Sequence, residues 1–468
     1  MKKISFNIYI IVAGLALIAS SLSSCQKLIE IPNPPSAITQ DEQYADSLTT
    51  LSAVTGVYAL NSGNGFAYSN VQFTFLPGLS ADEITYVPVN DYQQFYNYSL
   101  TPLNSGAANL WNYMYQSMYQ VNAVLGGVAN SNTLSASFKK QITGEMETVR
   151  ALYYFSLVNF YGAVPLITTT DQNATVSLPR TPAAAVYNQI MADLTDARKK
   201  LTATYPSAGH LRPNLYTATA LQAKVNLYLS NWQNAYNEAD SVIRLSGCSL
   251  VQTGLNKVFL DGSTEAIWQI PGAQAFGSGV PDAVAFIPSS SGSYPNYIIT
   301  PFLLNAFEAG DQRLVNWTAS KVRVVNGVNQ TQYYPYKYKN RLSSVTPAED
   351  QMVLRLAEVY LIRAEAAAHL NNLTQALADV NIIRSRAGLP ASTASASSQP
   401  AVLTAILKER QTEMFCEWAN RWYDLKRTGT AAAILGAEKT GYTDNAALYP
   451  VPQPQILLNS QLSQNPGY

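Results

Sequence analysis

The chain has 468 residues, 47% apolar and only 13% charged, with 30 Lys+Arg balanced by 30 Asp+Glu. Zero net charge excludes the basic excess of a nucleic-acid binder, and so apolar a chain has enough surface to bury, which excludes disorder. Two His and three Cys leave almost no material for His-centred catalysis or a Cys/His metal site, so no metal and no cofactor is expected.

Lys2 and Lys3 precede a 12-residue apolar run over 8–19. That is shorter than the roughly 20 residues of a membrane-spanning helix and suits the apolar core of a signal peptide. Leu22-Ser23-Ser24-Cys25 follows and resembles a bacterial lipobox. It implies a lipoprotein signal peptide over 1–24, with Cys25 lipidated and holding the protein to a membrane by burying acyl chains. Residues 25–39 contain Pro32, Pro34 and Pro35 and read as an extended tether. The folded part is then a single domain over 40–468.

Within it, helical spacing is predicted over 40–60, while 61–105, rich in Gly, Asn and Pro, reads as loops with short strands. Trp111, Met114, Met118, Val121 and Leu125 place a helix over 107–128. A second long helix over 138–161 is stopped by Gly162 and Pro165. A third covers 181–201, with Pro182 at its first turn. Residues 215–245 read as two helices hinged at Ser230-Asn231-Trp232. A loop-rich insert spans about 247–348. Helix resumes over 350–387, and a last long helix covers 401–427. Ala223, Trp232 and Ala235 recur at the same offsets as Ala364, Leu373 and Ala376. Small residues at close helix approaches, with an apolar residue at the turn, resemble tetratricopeptide hairpins. The predicted fold is therefore mainly α, a tetratricopeptide-like helical-hairpin scaffold with a loop-rich irregular insert. A disulfide between Cys248 and Cys416 is not derivable from the sequence, and two separate buried thiols are the favoured reading.

Five segments, with the lipobox, resemble signatures of the SusD/RagB family, in family order. They are RALYYFSLVNFYGAVPL (150–166), RLAEVYLIRAEA (355–366), IIRSRAGLP (382–390), ERQTEMFCEWANRWYDLKRTG (409–429) and the tail YPVPQ…QNPGY (449–468). The resemblance implies an outward-facing outer-membrane lipoprotein that captures a nutrient. It also implies a partner, a SusC-like TonB-dependent transporter whose mouth the protein covers as a lid. The residues themselves read as structural. Met414, Trp418, Trp422 and Leu425 form an apolar stripe, and Glu417–Arg421 and Arg421–Asp424 are spaced to pair on the adjoining helix face.

No GxSxG, P-loop, GxGxxG, HExxH or CxxC motif occurs, and a non-enzymatic binding role is expected. Residues 61–119 carry thirteen aromatics and eight Asn but three charges, Asp82, Glu83 and Asp91. Aromatic faces take the C–H faces of sugars, and Asn, Asp and Tyr hydroxyls take the hydroxyl rim, which points to a neutral oligosaccharide. The candidate ligand residues there are Tyr92, Phe95, Tyr96 and Tyr98, with Asp82. Trp111, Tyr115 and Tyr119 read as core. The insert supplies Tyr294, Tyr297 and Trp317, with Tyr333, Tyr334 and Tyr336 nearby; Lys337, Lys339 and Arg341 read as a solvated face. A peptide-capturing relative of the same family is the alternative reading, and a helical glycan hydrolase with two carboxylates a third.

Overall fold

The structure is a computed structural model and describes residues 38–62, 69–272 and 277–468. The signal peptide, Cys25 and the proline tether lie outside the described residues, as do Phe66 and Tyr68.

The chain is mainly α. Its scaffold helices are α1 (Ser47–Ser62), α2 (Ser69–Ser80), α3 (Ser105–Asn130), α4 (Ala136–Tyr161), α5 (Ala183–Lys200), α6 (Leu215–Tyr228), α7 (Trp232–Leu245), α8 (Leu356–His369), α9 (Leu373–Arg386), α10 (Gln399–Glu413) and α11 (Asn420–Arg427). Side-chain caps start most of them. Asn104 accepts from the Ala107 amide, Ser135 from that of Phe138, and Asn214 forms a capping box with Thr217. Gly162, at φ 73°, ends α4 as expected.

The internal repeat is real. The α6–α7 and α8–α9 hairpins place Ala223, Ala235, Ala364 and Ala376 at fully buried positions. Both turn on a residue in the left-handed region, Ser230 at φ 58° and Asn371 at φ 61°. In each turn the next amide bonds back five residues, Asn231 to Asn226 and Asn372 to Ala367, at 2.8 Å. The hairpins pack on each other through α7 and α8, where His369 stacks on Trp232 with ring centroids 3.8 Å apart.

Three expectations need correction. Segment 61–105 contains α2, whose Val71, Phe73, Phe75, Leu76 and Leu79 are all buried. A helix buried on every side, with Gln72 and Thr74 inside as well, shows no clear 3.6-residue period, and the alternation at 71, 73 and 75 mimics a strand. Residue 350 onward begins not as helix but as β6 (Gln351–Arg355), antiparallel to β2 (Ala266–Ile270). The helix expected over 401–427 breaks between α10 and α11, with Cys416, Trp418 and Ala419 at positive φ.

Side chains from elsewhere account for the break by taking its backbone groups. The Glu413 carbonyl accepts from Arg355 Nη2 and Lys337 Nζ, both at 2.8 Å. The Cys416 amide donates to Glu83 Oε1 at 3.0 Å. The i,i+4 and i,i+3 pairs expected on that helix do not form. Glu417 binds Arg355 and Lys337, Arg421 binds Asp82, and Asp424 binds Arg410 and Arg427. All are buried. Lys337, read as part of a solvated face, is likewise buried. Cys248 and Cys416 are free and buried.

Candidate ligand-binding site

Two short strands bring the Tyr-rich segment and the insert together. β1 (Ile84–Tyr86) pairs antiparallel with β3 (Tyr297–Ile299), placing Tyr86 opposite Tyr297, and the Val87 amide extends the ladder to the Asn296 carbonyl at 2.9 Å. Cross-strand aromatics directly opposite one another pack closely, and the two rings lie 4.8 Å apart. Tyr92 joins them, 5.7 Å from Tyr86 and 5.4 Å from Phe75. Phe75, Phe286 and Tyr297 form the buried floor, while Tyr86 and Tyr92 are half-buried above it.

The loop between them is held by its own polar groups. Asn90 Oδ1 accepts from the Tyr92 amide at 2.8 Å, and Asn90 Nδ2 donates to the Tyr86 hydroxyl at 3.3 Å. Asp91 Oδ2 accepts from the Ser105 amide at 2.7 Å, and Asn104 donates to the Asp91 carbonyl and to Gln94. Burial raises both phenols above the ordinary tyrosine range, so they stay protonated as hydrogen-bond donors. Tyr294, three residues before Tyr297 on the segment that leads into β3, is 45% exposed. Arg323 lies over one face of its ring, 5.2 Å from the centroid. The surface offers aromatic faces, phenol hydroxyls and amides.

Of the eight candidate ligand residues, Tyr92 stands on this surface, and Tyr294 is exposed on the segment that leads into β3. Tyr297 is in its floor, 5% exposed. Tyr96 and Tyr98 form a separate group. The Lys439 ammonium sits 4.4 and 4.5 Å from their centroids and donates to the carbonyls of Leu79, Ser80 and Ala81 at the end of α2. The Tyr98 hydroxyl donates to the Ser80 carbonyl at 2.7 Å. These two rings shield a cation that caps a helix C-terminus; burial brings the Lys439 ammonium down to about 7.

The other three are core, which corrects their assignment. Phe95 is fully buried edge-on against Tyr449. Trp317 is fully buried, its indole N–H donating to the Leu255 carbonyl at 3.2 Å and its ring 4.8 Å from the Lys337 ammonium. Asp82 is fully buried, accepting from Arg421 Nε at 2.8 Å and Nη2 at 2.5 Å and from Gln411 at 3.1 Å. Both of its oxygens are committed to protein. Tyr334 is buried, and Tyr333 and Tyr336 are half-buried, with Lys339 over the Tyr336 ring. Tyr119, read as core, is 55% exposed. Tyr86 escaped the candidate set. Its signal was the β-prone run Ile84-Thr85-Tyr86-Val87 beside Asn90. Among the described residues no group of three His, Cys, Asp or Glu is placed to hold a metal ion, and no helix is long and apolar enough to cross a membrane.

Comparison with known proteins bears on the family and the fold. The model of the SusD family matches residues 294–468. A second model, described as starch-binding associating with outer membrane, matches 33–227. The chain belongs to the SusD family. SusD-like protein P38 of Formosa agariphila is 25% identical over 100% of this chain and 99% of its own. A SusD-like protein of Bacteroides ovatus is 25% identical over 73% of this chain and 68% of its own. A SusD superfamily protein of Bacteroides vulgatus superposes with a TM-score of 0.80 at 20% identity, covering 91% of this chain and 100% of that one. A laminarin-binding SusD-like protein superposes with a TM-score of 0.77 at 26% identity over the same shares.

Proposed function

We propose that the protein binds an oligosaccharide at the surface built by Tyr86, Tyr92 and Tyr294. It then hands the ligand to a SusC-like TonB-dependent transporter, and is held by lipid at Cys25 on the outer face of the outer membrane. The observation that carries the reading is the β1–β3 ladder, which gathers solvent-facing tyrosines from two distant segments over a rigid aromatic floor. Rings fixed by such packing offer contact area at low entropic cost. The laminarin-binding relative supports a glycan as ligand, and the second family model supports the outer membrane as location.

Calorimetric titration of the full chain in detergent against a glycan panel, with peptides in parallel, tests the ligand. At least one glycan should bind, and no reducing ends should accumulate on prolonged incubation. Binding of peptides alone would replace the reading. With base–aromatic stacking as the guide, Tyr92→Ala should weaken binding by about 1–3 kcal/mol. Cys25→Ala should release the protein from membranes, since a lost diacyl anchor leaves no equivalent hold; full membrane retention of that variant would remove the lipoprotein assignment.

A further inference from the structure

Residues 312–348 contain six cations and no acid: Arg313, Lys321, Arg323, Lys337, Lys339 and Arg341. Such a run is out of keeping with a chain whose net charge is zero. Two of the six are neutralised in the core, Arg313 by Asp311, Glu409 and Glu413 and Lys337 by Glu417. Among the described residues the other four have no carboxylate within ion-pair distance. Lys339 and Arg341 spend donors on main-chain carbonyls, of Tyr336 and Asn316 and of Val284 and Ile287.

Lys321 and Arg323 differ from these in their place. They share one face of the hairpin of β4 (Thr318–Val325) and β5 (Val328–Pro335), and that face meets the serine loop leading into Tyr294. Lys321 Nζ donates to the carbonyls of Ser290, Ser291 and Ser293 at 3.2, 2.7 and 2.6 Å. It fixes the loop and leaves its charge uncompensated. Arg323 lies over the half-exposed Tyr294 ring. A guanidinium drawn over an aromatic face by cation–π attraction still has an N–H fork to offer, the group that takes a carboxylate or a sulfate through two parallel bonds.

We propose that Arg323, positioned on Tyr294 and backed by the charge of Lys321, is an anion-recognition subsite at the rim of the tyrosine surface, and that the glycan this protein captures is acidic, carrying carboxylate or sulfate groups. The inference rests on the glycan reading above and narrows it. The charge-poor segment 61–119 pointed to a neutral ligand because it holds only half of the site; the insert brings the cations.

The test uses the full chain in detergent, with polygalacturonate and dextran sulfate as acidic probes and laminarin and dextran as neutral ones, at low and moderate salt. The acidic probes should bind more tightly, and added salt should weaken them alone. Arg323→Gln should weaken acidic binding about tenfold, as loss of a charge-assisted bond does, without changing the melting temperature. Arg323→Lys should fall between, keeping charge but losing the fork. Lys140→Gln, at an exposed site on α4, should change nothing. A response to polygalacturonate alone or to dextran sulfate alone supports the subsite and names its anion. Acidic binding unchanged in Arg323→Gln, or equally reduced in Lys140→Gln, overturns it. Tight binding of neutral probes only overturns the subsite and leaves the glycan reading standing. Binding of no glycan of either kind overturns both.

Discussion

At the scale of single residues, burial separates side chains that serve a ligand from side chains that serve the core, and two neighbours show how sharply. Asp82 and Glu83 are adjacent and both buried, yet Asp82 has a guanidinium and Glu83 has only the Cys416 amide and distant charges. Burial, with the charge of Asp82 beside it, pushes the Glu83 carboxyl up to about 8. A carboxyl raised in the native state holds its proton there while the unfolded chain releases it. Glu83 therefore contributes nothing to pH dependence below about 4.5, and it lowers stability progressively as pH rises from there through about 8. Glu83→Gln keeps an acceptor for the Cys416 amide without a charge to bury. In thermal melts the variant should match the parent near pH 5 and exceed it near pH 8.5; a parent curve that stays parallel to the variant's across that range would refute the assignment. The aromatic assignments invite a similar contrast. Trp317→Ala empties a fully buried site and should lower stability by about 3–5 kcal/mol, whereas Tyr92→Ala should act on binding first. Trp317→Ala melting with the parent while losing ligand would return that ring to the site.

Elements were legible where their pattern was periodic and local. The long helices α3, α4 and α5 and the repeated hairpins stand within a few residues of their predicted places, because caps, Gly162 and the alanine–turn–alanine spacing are all written in neighbouring residues. Elements set by distant partners were not legible. α2 is buried on all sides and shows no amphipathic period. The α10–α11 break exists because Arg355, Lys337 and Glu83, each at least 50 residues away in sequence, take its backbone groups. The site divides in the same way. Tyr92 and Tyr294 were recognisable as polar-tipped rings in irregular segments, but only the β1–β3 register joins them and adds Tyr86. Phe95, Trp317 and Asp82 sit in stretches just as irregular and are core, a difference no local pattern carries. The hairpin turns allow a direct test. Ser230 is exposed and sits at φ 58°, where a Cβ is disfavoured, while Asn371 occupies the equivalent place with a side chain that tolerates it better. Ser230→Gly should raise stability by up to about 1 kcal/mol in denaturant melts, and Asn371→Gly by less. A destabilised Ser230→Gly would show that the turn is held by something other than its backbone conformation.

For the whole molecule, a buried ion network makes the insert and the helical scaffold one structure. Glu413, at the end of α10, accepts from Arg313 in the insert at 3.1 Å, from Arg355 at the end of β6 at 2.5 Å, and from Arg386 in α9. Glu265, just before β2, binds the same Arg355 and Arg386. All five side chains are fully or almost fully buried. Burial opposes ionisation of Glu413, but Arg386, Arg355 and Arg313 outweigh it and hold its carboxyl well below the usual carboxylate range. A depressed carboxyl stabilises the fold at every pH above its unfolded value and loses that contribution as pH falls through the native one. The network thus sets an acid limit, opposite in sign to the Glu83 effect, and the two together favour mildly acidic conditions. Taking away one carboxylate leaves three guanidiniums in the core with too little counter-charge, so Glu413→Gln should lower stability by about 3–5 kcal/mol. Because its partners come from both halves, the loss should appear as one transition moving to lower temperature, with the protease sensitivity of the insert and the scaffold's helical circular dichroism shifting together. The floor of the tyrosine surface is built from both halves as well, Phe75 from α2 and Tyr297 from the insert, so ligand binding should fail at that same transition. Two separate transitions, with the insert melting while the helices persist, would show that the network is a local clamp and that the insert folds apart from the scaffold.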